Sequence, residues 1–217
     1  MEVVDEAIEL VNTLLGRLEQ TLQWEIGQVR LLQGIKNLRF DGNVEAAERV
    51  TREACNIYDQ VKDDRQRVKA LSNLGTILDG KGDLQQSIAI SVKVLERAEG
   101  LPESLFKHQI IAGETGHLVD SLTKQGDFGK AVEYAQEGLQ HCEKYGLVHP
   151  HITLLINTAI LEAERGKFDQ AKEKLQRSYD LSQSTNIQSY LPQVFSWLAQ
   201  IHLEQGEANR AKEYTDK

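Results

Sequence analysis

The sequence predicts an all-α repeat protein, and three observations carry this prediction. A glycine recurs at spacings of 40, 44, 40 and 40 residues, at Gly42, Gly82, Gly126, Gly166 and Gly206. A small residue follows each glycine by five positions, at Ala47, Ser87, Ala131, Ala171 and Ala211. The 217 residues include only three prolines and few aromatic or β-branched runs, which favours helices over strands. Self-similarity at a fixed period is typical of repeat architectures.

Each unit is predicted to be a helix, a tight turn and a second helix. The segments LSNLGTIL before Gly82 and ITLLINTAILEAE before Gly166 carry apolar residues at helical spacing. The glycine stands where the first helix ends and φ must become positive. The recurrent small residue lets the second helix approach the first closely. Side chains suited to cap the second helix directly follow three of these glycines, at Asn43, Asp83 and Asp127. Lys167 and Glu207 are poorer caps at the equivalent places.

We expect a single solenoid domain over residues 1–217. Residues 1–20 form an N-terminal helix or half repeat, and the repeats are 21–60, 61–100, 101–146, 147–186 and 187–217, the last incomplete. Pro102, Pro150 and Pro192 all fall between the second helix of one unit and the first helix of the next, where proline is best tolerated. The chain begins and ends inside a unit, which predicts a fragment of a longer solenoid or a module that pairs at its ends. The alternative is that residues 1–20 are simply a capping helix.

These units resemble tetratricopeptide repeats. The resemblance rests on the turn glycine, the later alanine and a pair of residues seven to eight before the turn: Leu74-Gly75, Leu118-Val119 and Leu198-Ala199. The long, 40-residue unit is similar to those of kinesin light chains and of bacterial regulators of the peptide-pheromone-receptor and MalT-like kinds. The resemblance implies a right-handed α-α superhelix of about five repeats. Departures are Ser87 in place of alanine, and Glu162 and His202 where a core apolar residue is usual.

In such a superhelix the first helices line the concave face. A polar-capable side chain stands nine residues before each turn glycine, at Gln33, Asn73, His117, Asn157 and Trp197. Side-chain amides at this position can pair with the backbone of an extended peptide. Lys69 is an i, i+4 neighbour of Asn73, and the pair resembles half of the carboxylate clamp of some tetratricopeptide proteins. Because His117 and Thr153 occupy later places of that clamp, a terminal-carboxylate ligand is not implied. Plain solvated polar residues are the alternative interpretation.

Further candidates for the concave face are Lys36, Gly113 and Asp120. Gly113 and Gly116 lie in one predicted helix, where each glycine costs roughly 1 kcal/mol relative to alanine. They indicate room made either for a ligand or for a closely packed neighbouring helix, and packing is the favoured interpretation.

Composition narrows the class of partner. A net charge of −8 disfavours nucleic acid, which requires a basic face. No apolar run is long enough to cross a membrane, so no membrane partner is expected. Two isolated cysteines do not make a disulfide framework, which fits a reducing cytoplasm. Partners are expected to be a protein or an extended peptide, and a homodimer through open solenoid ends is a further possibility.

No catalytic motif stands out, so an enzyme is not predicted and no cofactor is implied. His141, Cys142, His149 and His151 do not match the spacing of structural zinc sites, and we expect a junction loop with solvated histidines. The leading hypothesis is a non-catalytic scaffold that binds a protein or peptide along its concave face. The second hypothesis is a ligand- or peptide-sensing regulatory domain of a larger bacterial transcription or signalling regulator.

Overall fold

The computed structural model describes residues 2–215, with side chains from residue 9 onward. In this part of the chain the secondary structure is helical, in two units that are described separately below, Met1–Asp83 and Leu84–Lys217. The first contains α1 (Glu2–Arg39), α2 (Val44–Gln60) and α3 (Asp64–Gly80). The second contains α4 (Leu84–Glu99), α5 (Leu105–Gln125), α6 (Phe128–Tyr145), α7 (Val148–Glu164), α8 (Phe168–Ser184), a 3-10 turn (Gln188–Tyr190), α9 (Leu191–Glu204) and α10 (Ala208–Thr215).

The turn glycines and the small residues behave as the repeat predicts. All five turn glycines have positive φ, from 61° at Gly42 to 84° at Gly126. All five small residues are buried, with exposures of 0–3%. Asn43 and Asp127 each accept a hydrogen bond from a backbone N–H of the helix that follows, whereas Lys167 makes no side-chain cap. Local turn chemistry therefore sets the helix boundaries, and the all-α prediction is confirmed.

In the first unit, α1 is one continuous helix that crosses the expected boundary between residues 20 and 21. It packs on α2 through two glycines. A Cβ at Gly27 would lie 2.9 Å from the Tyr58 ring, and one at Gly34 would lie 2.3 Å from Oγ1 of Thr51. Trp24 is partly buried in this unit, and its Nε1 donates to Oδ2 of Asp63 over 2.8 Å. The predicted repeat boundaries and the single domain stay predictions.

In the second unit, α7 is buried on two sides and contributes to two apolar cores. Leu154 and Leu161 pack in a core with residues of α5 and α6, such as Leu118. Ile152 and Ile156 pack in the next core with residues of α8 and α9. This arrangement explains why the sequence of α7 is apolar around most of its circumference.

The two polar residues at positions where the repeat usually has an apolar core residue, Glu162 and His202, each have a polar partner. Glu162 is 9% exposed, and its two carboxylate oxygens accept from Nη1 of Arg165 over 3.0 and 3.1 Å. His202 is 6% exposed and lies 2.7 Å, Nδ1 to Oε2, from Glu207. A buried polar group costs little stability when a partner is in place. Among the described residues, no helix has the length and apolar content needed to cross a membrane.

Candidate binding surface

The first helices of the second unit, α5, α7 and α9, carry His117, Asn157 and Trp197 at equivalent places of successive repeats. Helix α7 packs against both α5 and α9. All three side chains are partly exposed. We call the exposed sides of α5, α7 and α9 that carry these residues the first-helix surface. The three residues therefore have the accessibility that the peptide-binding prediction requires, although the prediction itself stays untested.

Asn157 joins two helices. Its Nδ2 donates to the backbone carbonyl oxygen of Gly116 over 2.9 Å, from α7 to α5. A Cβ at Gly116 would lie 3.9 Å from Nδ2 of Asn157 and 3.9 Å from Cδ1 of Leu154, which is ordinary contact. The amide has two N–H donors and an acceptor oxygen in all, so this bond uses one of its donors. Asn157 is thus both a structural link and a polar group on the surface.

His117 lies over a buried carboxylate. Its Nδ1 is 3.3 Å from Oε1 of Glu114, which also accepts from Oγ of Ser91 on α4 over 2.9 Å. Glu114 is only 1% exposed, and its Oε2 has no hydrogen-bond partner within residues 2–215. A buried carboxyl oxygen is stabilised by neighbouring hydrogen-bond donors, because an unpaired polar atom is costly in the protein interior. Glu114 therefore fixes the His117 ring.

The two glycines of α5 have different surroundings. Gly116 contacts α7 in the way just described, which agrees with the packing interpretation. A Cβ at Gly113 would meet no atom within 4 Å in the described part of the chain. Gly113 is partly exposed, so packing inside the second unit does not require a glycine there. The open space next to His117 is room that a ligand could use.

The remaining predicted residues of the second unit border this area. Asp120, one turn after His117, accepts from Nζ of Lys124 over 2.7 Å. Trp197 packs partly against the core formed with Ile152 and Val194, so it is neither fully buried nor a free platform. One group was missed by the sequence analysis. The Tyr190 hydroxyl lies 3.5 Å from Oγ1 of Thr153 and 3.4 Å from Nδ1 of His149, and extends the polar area along α7.

In the first unit, the predicted residues lie on α1 and α3. Gln33 is exposed, and its Oε1 accepts from Nη1 of Arg30 over 3.0 Å. Lys36 is exposed and donates to Oδ2 of Asp41 over 2.6 Å. Lys69 and Asn73 are partly buried on α3. These four residues stay candidate peptide contacts.

The expected histidine-bearing junction loop is wrong. His141 and Cys142 lie in α6, and His149 and His151 lie in the first turn of α7, with only Gly146 and Leu147 between the helices. Of these four side chains only His149 is exposed. The reason is packing, because the His108 ring stacks on the Tyr145 ring with centroids 3.5 Å apart and lies 5.1 Å from the His141 ring.

Burial shifts the pKa values of three side chains at this junction. Burial lowers the pKa of His141, with a smaller contribution from neighbouring His108, and burial likewise lowers the pKa of His151. Burial raises the pKa of the Cys142 thiol to about 12, so it is not a reactive thiolate. Within residues 2–215, no three His, Cys, Asp or Glu side chains are grouped so that they could hold a metal ion.

A cavity lies between helices of the second unit, on a different side of α7 from Asn157. A cavity of about 270 Å³ is lined by residues of α6, α7 and α8, including Val132, Leu139, Leu161 and Glu162. Six of its ten lining residues are polar or charged, and the Glu162 carboxylate among them is paired with Arg165. The cavity is therefore a competing place for a ligand.

The family model described as MalT-like TPR region matches residues 8–217. No curated protein matches the chain. A Rap protein solved in complex with competence and sporulation factor is similar at a TM-score of 0.75 and 14% identity, covering 88% of this chain and 52% of the Rap chain.

Two further solved structures have the same fold. Aspartyl phosphate phosphatase F from Bacillus subtilis matches at a TM-score of 0.75 and 15% identity, over 97% of this chain and 53% of its own. A STAND signal-transduction ATPase from Pyrococcus horikoshii, with a tetratricopeptide repeat sensor, matches at 0.68 and 13%, over 89% and 30%. This chain thus spans about half the length of the first two proteins. The tetratricopeptide-like solenoid is confirmed, and the chain belongs to the family of MalT-like TPR regions.

Proposed function

We propose that this chain is a non-catalytic regulatory scaffold that binds a protein or an extended peptide. The observation that carries the proposal is the combination, on α5 and α7, of His117, the Asn157 amide and the open space at Gly113. An extended peptide offers alternating N–H and C=O groups, which an amide and an imidazole can pair with regardless of peptide sequence. Similarity to a Rap protein solved with a bound factor supports this class of ligand.

The site is built to position a ligand rather than to transform one. The His117 ring is oriented by the buried Glu114 carboxylate, and Asn157 is held by the Gly116 carbonyl. Preorganised groups lose less conformational freedom when a ligand binds, which favours affinity. These features support binding as the role of the surface.

The experiment starts from a phage-displayed library of peptides of about 12 residues, selected on the whole chain. The selected peptide is then titrated by calorimetry into the wild type, His117→Ala, Gly113→Phe and Gln140→Ala. We expect His117→Ala to weaken the Kd by about tenfold, the value of one hydrogen bond of about 1.4 kcal/mol. Gly113→Phe fills the open space and is expected to abolish binding.

Gln140→Ala is the matched control, since Gln140 is exposed on α6 and away from the first helices. It is expected to leave the Kd unchanged. Equal affinity for Gly113→Phe and the wild type places the site elsewhere, with the cavity between α6 and α8 as the next candidate. If no peptide is selected, the proposal fails.

A ligand-sensing regulatory domain is the second candidate. The STAND protein, whose tetratricopeptide repeats are described as a sensor, supports it. A sensor must change conformation on binding, because a ligand shifts an equilibrium only through different affinities for two states. Small-angle X-ray scattering with and without the selected peptide separates the two roles. A changed scattering profile favours the sensor, and an unchanged profile at saturation favours the passive scaffold.

A further inference from the structure

The linker between α4 and α5, residues 100–104, is tied to the start of α5 by polar contacts. Nε2 of His108, in the first turn of α5, is hydrogen-bonded to Oε1 of Glu103 in the linker. Nζ of Lys107 donates to the backbone oxygen of Glu99 over 2.8 Å and lies 3.9 Å from Oε2 of Glu103. The linker lies in the longest interval between turn glycines in the sequence. These contacts hold the linker and the start of α5 together.

The His108 ring also packs against two rings of α6. It stacks on the Tyr145 ring at an interplanar angle of 16°. The His141 ring lies 5.1 Å from His108 and 4.7 Å from Tyr145, centroid to centroid. Nδ1 of His108 and Nε2 of His141 are buried, and neither has a hydrogen-bond partner among the described residues. We call Glu103, His108, His141 and Tyr145 the histidine cluster.

The histidine cluster accommodates one positive charge but not two. A proton on His108 is stabilised by the Glu103 carboxylate and by the face of the Tyr145 ring, which attracts a cation. A proton on His141 would place a second positive charge one ring away from the first. Both nitrogens of a protonated ring are donors, so Nε2 of a charged His141 would carry a buried N–H with no acceptor. Burial lowers the pKa of His141, and neighbouring His108 lowers it further.

The other charged groups around His141 act in opposite directions. Glu99, at the end of α4, favours the charged ring, whereas Lys144, one turn further along α6, disfavours it. Both effects are smaller than that of burial. From α7, His151 faces Glu143, with Nε2 4.0 Å from Oε1. The exclusion of a second proton therefore depends on burial and on the neighbouring imidazole.

We propose that the histidine cluster is a pH-sensitive contact, which holds the start of α5 on α6 at neutral pH and opens when His141 is protonated beside His108. The bond between Glu103 and His108 is retained on opening, because a carboxylate binds a charged imidazole more strongly than a neutral one. The linker therefore stays with α5. The contact is complete above pH 6.5, the ordinary value for histidine, and is lost as the pH falls through the lowered pKa of His141. The cluster lies apart from His117 and Asn157, so the proposal is independent of peptide binding.

NMR titration of the histidine rings in the whole chain tests whether the two charges oppose each other. In the wild type, His141 is expected to titrate below pH 6.5. In His108→Gln it is expected to titrate at a higher pH than in the wild type, because the neighbouring positive charge is absent. His149→Gln is the matched control, since His149 is exposed in the first turn of α7, and is expected to leave the titration of His141 unchanged. An unchanged His141 midpoint in His108→Gln overturns the proposal.

Hydrogen–deuterium exchange with mass spectrometry tests the opening, after correction for the intrinsic pH dependence of exchange. Protection of residues 105–112 and 138–147 is expected to fall by about tenfold from pH 7.5 to pH 5.5, as when opening frees one histidine of ordinary pKa. Residues 168–184 of α8 are the internal reference and are expected to keep their protection. His141→Gln has no proton to gain and is expected to show equal protection at both pH values.

Two outcomes of the exchange experiment overturn the proposal. One is equal protection of residues 105–112 and 138–147 in the wild type at the two pH values. The other is a fall in protection in His141→Gln as large as that in the wild type. Circular dichroism verifies that each variant is folded, and if His108→Gln does not fold, the exchange experiment decides alone.

Discussion

Left-handed backbone conformations recur in this chain, and the residue types that adopt them differ in cost. The turn glycines take positive φ without a Cβ penalty. Between repeats the same conformation occurs at Gly146 but also at Lys62 and Asn186, each with φ of 57°. The sequence pattern identified the first kind of turn because glycine marks it. The second kind was missed, because a lysine in this conformation carries no mark in the sequence.

For single residues, we predict how alanine changes the stability of the chain at two glycines, Gly166 and Gly113, which differ in backbone conformation. Gly166 has φ of 73°, and neither Gly166 nor Gly113 has an atom within 4 Å of an added Cβ in the described region. Gly166→Ala is expected to lower the free energy of unfolding by about 1 kcal/mol through backbone strain. Gly113→Ala, in the middle of α5, is expected to raise it by roughly 0.5–1 kcal/mol. Urea denaturation measures both, and shifts of the same sign would contradict the assignment.

The site residues show how far sequence reasoning reaches. The positions of His117 and Asn157 follow from counting back from the turn glycine, because that register is set locally by each repeat. Their hydrogen bonds do not follow, since Gly116 and Glu114 become partners only through packing. The sequence carried one sign of this buried contact: Glu114 is a charged residue at a position of α5 where the helical spacing predicts an apolar one. Its burial depends on the neighbouring helix α4 and Ser91, which a single helical pattern does not specify.

At the scale of elements, the junction of α6 and α7 holds partly buried histidines that the folded state keeps neutral. Because burial lowers the pKa of His141 and His151, the unfolded chain binds more protons than the folded one below pH 6.5, the ordinary value. Their contribution to stability is therefore complete above pH 6.5 and is lost as the pH falls through the lowered pKa. Glu143 opposes this effect at His151 and Arg177 strengthens it.

We accordingly expect the free energy of unfolding of the wild type to decrease between pH 7 and pH 5.5. His141→Gln combined with His151→Gln removes both titrating groups and is expected to flatten this decrease. Urea denaturation at half-unit pH intervals measures the slopes. His149→Gln serves as the control, because His149 is exposed at the same junction and is expected to leave the slope as in the wild type. Equal slopes for the wild type and the double variant would show that these histidines are not responsible.

At the scale of the whole molecule, the repeat was predictable because each unit carries its own turn glycine, small residue and caps. The small residues that recur in the sequence occupy equivalent buried positions in the structure, since Ala47, Ala131 and Ala171 are all fully buried. No proline stands near residue 20, so the sequence was compatible with a continuous α1, and the expected boundary at residue 20 rested only on the count of 40. The division between residues 83 and 84 lies inside one expected repeat, where the sequence pattern marks only a turn.

The net charge of −8 leads to a prediction for the molecule as a whole. A chain with this net charge is expected not to bind a labelled 20-base-pair DNA duplex at 150 mM salt, since binding depends on displacing counterions from phosphates with basic side chains. Fluorescence anisotropy measures this directly. A salt-dependent rise in anisotropy at micromolar protein would contradict the charge argument and would call for a local basic surface.

The hydrogen bond of the Asn157 amide links ligand binding to the contact between α5 and α7. One side chain ties α7 to α5 and also stands among the groups proposed to meet a ligand. A ligand that accepts from the N–H now bonded to Gly116 competes with that interhelical hydrogen bond, so its binding to the first-helix surface weakens the contact between α5 and α7. A ligand that uses only the other donor or the oxygen leaves the tie intact and tightens the pair. Two peptides of equal affinity can thus have opposite mechanical effects on the same solenoid.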